Sequence, residues 1–237
     1  MQQYYEKVVR GTEREDTLVI VQHLKDKVGK RFSLLNYYRE IPVSYDAKLL
    51  SVENEMAEFE VHEYQAKVIR IEKKTLMFAQ SANGLLEDVC GEAFYVNSAK
   101  KRVILCNFGY ARIQSNKRRF VRVRLDGGIQ ADLISEVDVL KGTVVDLSLG
   151  GAAITFMSTE LLTPGSVHNL FLKLPDVSSG TITEVGMTAT VVDVLGGETP
   201  HTCIFEFHTE KHSQQQIAYY INQRQVEIIK ELKELKS

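Results

Sequence analysis

Apolar positions along this chain follow two periods. Behind Thr12, the residues Leu18, Val21, Leu24 and Val28 recur at a spacing of three to four, which is one face of an α-helix. Thr12 and Glu15 make the Thr-x-x-Glu pattern of a capping box, and Gly29 offers a C-terminal stop. Together they predict a helix over 13–28. From about residue 31 to about 112 the period falls to two. Ile41, Val43 and Tyr45 alternate with Pro42, Ser44 and Asp46, and Ala57, Phe59 and Val61 alternate with Glu58, Glu60 and His62. Ala66, Val68, Ile69 and Ile71 read as a continuation, followed by Leu76–Ala79, Glu92–Val96 and Val103–Phe108. Short alternating runs split by Asn, Gly and charged turns predict a small antiparallel barrel or sandwich.

A polar stretch over 112–119 interrupts the pattern. Strand signals then resume at Phe120–Leu125, Ile129–Ile134, Lys141–Leu147, Ala152–Phe156, Val167–Leu174, Thr181–Val194 and Thr202–Phe207. These predict a second β-barrel of about 90 residues. Over Ser213–Lys236, Ile217, Ile221, Ile228, Leu232 and Leu235 lie at helical spacing. Ile221, Ile228 and Leu235 are also seven apart, which permits a coiled-coil seam and a homodimer, although packing on the barrel is the simpler use of the stripe. The expected fold is mainly β: two small antiparallel β-barrels with an N-terminal and a C-terminal helix. The expected division is 1–111 for the first helix and barrel, 112–119 for a basic hinge, 117–212 for the second barrel and 213–237 for the last helix.

Charge changes this picture at one place. Of 237 residues, 29 are Lys or Arg and 31 are Asp or Glu, so a uniformly basic nucleic-acid coat is excluded. Against that balance, Arg112, Lys117, Arg118, Arg119, Arg122 and Arg124 crowd into 112–124 with no acid among them. In a strand, Val121, Val123 and Leu125 point one way while Arg122 and Arg124 point the other. Arg118 stands four residues earlier, in the hinge. One guanidinium on a rigid face and one on a hinge can close on a ligand, and guanidinium both forks onto phosphate and stacks on a base. Exposed basic strand edges also serve simply to block aggregation.

Asp146-Leu147-Ser148-Leu149-Gly150-Gly151 is the second feature. Alternation predicts Val144, Asp146 and Ser148 on one face and Val145, Leu147 and Leu149 on the other, core-facing side. The glycine pair permits a tight turn or bulge and close approach of a ligand to the backbone. A carboxylate can accept from the N–H groups of a guanine edge, and arginine can fork onto its O6 and N7. A plain hairpin turn capped by Asp and Ser would need the same residues.

The ordered pair Arg118-x-x-x-Arg122 and Asp146-x-Ser148-x-x-Gly151 resembles the signature of the PilZ family of cyclic di-GMP receptors. The resemblance covers about 112–236, and the residues before it are similar in outline to the split-barrel domain of flagellar-brake proteins. It implies that Arg118 and Arg122 contact guanine edges and phosphates, that Asp146 reads a guanine N–H edge, that Ser148 supports it, and that Gly150 and Gly151 leave room. Arg119 and Lys117 are the implied phosphate partners. It also implies a cytoplasmic bacterial effector with cyclic di-GMP as ligand, no other cofactor and no metal. A protein partner in motility or biofilm machinery would read a change of interdomain geometry.

Other readings have less to stand on. No Gly-x4-Gly-Lys-Ser/Thr, His-Glu-x-x-His or Gly-x-Ser-x-Gly pattern occurs, so an enzyme is not expected. Cys90, Cys106 and Cys203 have no metal or disulfide spacing, which suits a reducing compartment, with Cys106 expected in the core. The N-terminus does not resemble a signal peptide, and no apolar run approaches the length of a membrane span. A single-stranded nucleic-acid-binding barrel fits the basic patch but lacks aromatic platforms beyond Phe120. A nucleotide-independent interaction scaffold is the remaining alternative.

Overall fold

The computed structural model describes residues 4–114, 119–134, 139–158, 162–176, 179–196 and 199–235. It divides into two compact units, one of Met1–Tyr38, Pro42–Arg118 and Lys230–Ser237, the other of Arg39–Ile41 and Arg119–Ile229. Both are built on closed antiparallel barrels of six strands.

The first unit opens with β1 (Tyr5–Val8) and α1 (Glu13–Lys25). Both halves of the capping box are made: Glu15 N–H donates to Thr12 Oγ1 at 3.2 Å, and Thr12 N–H donates to Glu15 Oε2 at 2.8 Å. The helix stops at an Asp26 cap, short of residue 28, and buries Ile20, Val21 and Leu24. Leu18 and Val28 are exposed and lie off that face. Replacing Thr12 by alanine removes one donor–acceptor pair and should lower stability by about 1 kcal/mol. A thermal melt that failed to move downward would show the cap to be dispensable.

The barrel strands are β2 (Arg31–Tyr38), β3 (Ile41–Glu53), β4 (Met56–Glu60), β5 (Lys74–Met77), β6 (Val89–Asn97) and β7 (Arg102–Ile113). They close in the order β7-β4-β3-β2-β5-β6, with β6 returning to β7 and β1 extending the free edge of β7. Phe32, Leu34, Leu49, Phe59, Met77, Leu105 and Phe108 fill the interior together with the buried face of α1.

Three expectations fail in this unit. Residues 66–71 belong to a helix, α2 (Glu63–Glu72), not to a strand. Ala66 and Val68 fit a period of two, but Ile69 breaks it, and Ala66 and Ile69 are a helical pair. His62 caps the start by accepting from Tyr64 N–H at 3.2 Å, and Lys73 ends the helix in the left-handed region. The basic linker also starts later than 112, because Arg112 and Ile113 are the last rungs of β7, opposite Glu6 and Tyr5. Cys106 is half-buried, since alternation along β7 sends Val103 and Leu105 inward and Cys106 outward with Ile104.

The second unit contains β8 (Arg122–Arg124), β9 (Gln130–Ile134), β10 (Val139–Ser148), β11 (Gly151–Phe156), β12 (Val167–Pro175), β13 (Ile182–Leu195) and β14 (His201–His208). The ring runs β10-β11-β14-β13-β12-β9 and closes from β9 to β10, and β8 takes the edge of β10 that β9 leaves free. Val123, Leu133, Leu147, Ile154, Phe156, Leu170, Leu172 and Phe205 are buried, each side chain of this size contributing about 1.5–3 kcal/mol. The helix α3 (Lys211–Glu234) buries Ile217, Ile221 and Ile228 within the single chain, so two positions of the heptad seam are already used.

Candidate functional site

The motif residues meet where β8, β10 and β11 run side by side. β10 pairs with β8 so that Ser148 faces Arg122, Leu147 faces Val123 and Asp146 faces Arg124. Its other edge pairs Ser148 with Gly151, Leu147 with Ala152 and Asp146 with Ala153. Residues opposite one another in a sheet share a face. Arg122, Arg124, Asp146, Ser148 and Gly151 therefore occupy the outer face of the barrel, while Val123, Leu147 and Ala152 point into the core.

Val144 does not share that face. The register shifts by one between Val144 and Asp146, with Val145 the extra residue of a β-bulge. Val144 faces Ile154 and is buried with it, so the expected grouping of Val144 with Asp146 and Ser148 is corrected. The bulge sits where β10 changes partner: Val144 N–H donates to Ile129 C=O at 2.8 Å, and Leu125 N–H donates to Val145 C=O at 2.9 Å. A spacing of three between the inward residues Val144 and Leu147 is incompatible with a regular strand, and that was the available signal.

The acidic and basic groups are close. Arg122 Nη1 lies 3.9 Å from Asp146 Oδ1, with side-chain exposures of 28% and 8%. Ser148 Oγ donates to Gly151 C=O at 3.0 Å, across the turn between β10 and β11. Phe207 N–H donates to Gly150 C=O at 3.0 Å, tying that turn to β14. At Gly151 a β-carbon would overlap the Phe205 carbonyl oxygen. At Gly150 it would come within 2.8 Å of Phe120 Cδ2, so that glycine is the seat of the Phe120 ring. Arg119 Cζ stands 5.4 Å from the centroid of the same ring, a cation–π distance. The two glycines thus have separate uses, which sequence reading merged into one. Lys117 and Arg118 lie outside the described residues.

A groove of about 290 Å³ lies elsewhere on this barrel, between the ends of β12 and β13 and the first half of α3. Leu174, Val185, His212, Gln216 and Tyr220 line it, and no motif residue does. Burial pushes the Tyr220 hydroxyl up to about 12. Among the described residues no group of three or more His, Cys, Asp or Glu could hold a metal ion, and no helix is long and apolar enough to cross a membrane.

Residues 116–223 match the model of the PilZ domain. That segment takes in the strands of the second barrel and the first half of α3. Comparison with the curated proteins gives no match. Among solved structures, the chain is similar to YcgR from Escherichia coli in complex with c-di-GMP, at 12% identity and a TM-score of 0.44, covering 98% of this chain and 97% of that one. It is similar to the Bacillus subtilis inhibitor of motility MotI/DgrA at 13% identity and 0.43, covering 84% and 97%. The complex of K. pneumonia MrkH with c-di-GMP gives 15% identity and 0.42, covering 98% and 100%.

Proposed function

We propose that this protein is a cytoplasmic receptor for cyclic di-GMP, a ligand-binding effector and not an enzyme. The observation that supports it most is the pairing of β8 with β10 inside the PilZ-matching segment, which puts Arg122 beside Asp146 and Ser148 on one outer face. A dianionic ligand with two guanines needs cations for its phosphates, acceptors for guanine N–H groups and a place where the backbone can be approached closely. Arg122 and Arg118 are the proposed guanidinium contacts, with Arg119 and Lys117 as phosphate partners. Asp146 is the proposed acceptor for a guanine edge, Ser148 holds the β10–β11 turn, and Gly150 and Gly151 keep the surface low.

Each charge-assisted hydrogen bond contributes about 1.5–3 kcal/mol, so a few give micromolar affinity, about −8 kcal/mol. Calorimetric titration should detect cyclic di-GMP binding at micromolar or tighter Kd, with no heat from GTP or cyclic di-AMP at the same concentrations. Absence of binding to cyclic di-GMP would end the reading. In the fuller form of the proposal, ligand draws Arg118 onto the barrel, reorients the first unit, and a partner protein of the motility or biofilm type responds. The shift cannot exceed the ligand's preference for the closed state. Saturating ligand should then change the rate of limited proteolysis within 112–119.

A further inference from the structure

The outer row that contains the motif continues beyond it. Arg122 faces Ser148, Ser148 faces Gly151, Gly151 faces Glu206 on β14, and Glu206 faces Thr190 on β13. Because Gly151 has no side chain, nothing on β11 rises between Ser148 and Glu206 in that row. Glu206 is exposed, and among the described residues its carboxylate has no hydrogen bond or ion pair. Its neighbour on the same face, His208, is engaged: its Nε2 lies 2.7 Å from Thr190 Oγ1. Asp146 and Glu206 stand on strands separated only by β11 and are offset by two residues in register, so they lie about 12 Å apart on the sheet.

We propose that Glu206 is a second guanine-reading carboxylate of this site, a specificity-determining residue that accepts the N1–H and 2-amino groups of a guanine edge other than the one read by Asp146. The inference rests on the receptor reading above and extends it to a residue outside the motif. Its logic is electrostatic. A bare carboxylate beside a site for a dianion opposes binding unless it meets a donor edge of the ligand. Guanine presents such an edge, two parallel N–H groups that a carboxylate can accept together. Adenine does not, because its Watson–Crick edge places an acceptor ring nitrogen where guanine has N1–H. The same side chain would therefore favour a guanine ligand and reject an adenine one.

The sign of one substitution decides the matter. Glu206→Gln keeps the size, removes the charge and leaves a single acceptor oxygen. If Glu206 reads guanine, the full-length variant should bind cyclic di-GMP about tenfold more weakly. If it only repels phosphate, the variant should bind more tightly. Cyclic di-IMP, which lacks the 2-amino group, serves as the second probe. Wild type should prefer cyclic di-GMP over cyclic di-IMP, and the variant should lose part of that preference, keeping the share that Asp146 supplies. The ratio is measured within one preparation, so a change in folded fraction cancels. Unchanged or tighter cyclic di-GMP binding by the variant, with an unchanged ratio, overturns the role of Glu206 alone. No binding of cyclic di-GMP by wild type overturns the receptor reading and this inference with it.

Discussion

Arg122→Ala should weaken cyclic di-GMP binding at least tenfold. Arg122 is held on β8 opposite Ser148 and 3.9 Å from Asp146. It is the guanidinium of the proposed pair whose position in the sheet is described. Removing it deletes charge-assisted hydrogen bonds of about 1.5–3 kcal/mol each, and 1.4 kcal/mol is already a factor of ten. Arg122→Lys separates charge from shape. An ammonium keeps the attraction to phosphate but cannot fork onto O6 and N7, so its affinity should fall between those of wild type and the alanine variant. The salt dependence of binding should weaken in the alanine variant and persist in the lysine one. Arg118→Ala should match Arg122→Ala if the two act together. Calorimetry giving wild-type affinity for both alanine variants would remove the site assignment.

Gly151→Ala should damage the barrel itself. The added β-carbon would overlap the Phe205 carbonyl oxygen, which belongs to the backbone of the neighbouring strand. No rotamer change relieves that overlap, so β11 and β14 must part locally. The expected cost is about 3 kcal/mol, the upper end for overpacking, seen as a clear fall in melting temperature. Gly150→Ala should be milder, because the atom it meets is Phe120 Cδ2, the edge of a ring that can tilt. Equal melting temperatures for the two variants would contradict this account. The comparison also separates a glycine that the signature specifies, Gly151, from its neighbour Gly150, which the signature leaves open.

Much of the architecture was legible because its signals are local. The Thr12–Glu15 box fixed the start of α1 to the residue, and alternation located the strands of the second barrel within a few positions of their ends. At 66–71 and in β10 the alternation misleads for one reason, a change of phase or period that the apolar letters alone do not mark. Over 66–71 a run of apolar residues satisfied a period of two by chance at Ala66 and Val68, while the capping histidine and the left-handed Lys73 marked a helix. At Val145 a single extra residue reversed the facing of everything before it. The motif letters were visible, and so was the basic run. What sequence did not contain was the neighbour relation across strands. Gly151 and Glu206 are far apart in the chain, and only the β11–β14 register puts them opposite one another.

The extra residue in β10 also bears on anyone who would transplant this surface into another barrel to make a biosensor. Copying Asp146, Ser148 and Gly151 onto an unkinked strand would preserve the signature, yet it would send Val144 outward or turn the acid toward the interior. The portable module is the whole of β10 with Val145 and its hand-over from β9 to β8. A graft that carries the letters without that frameshift in the backbone would be a faithful spelling of the wrong word.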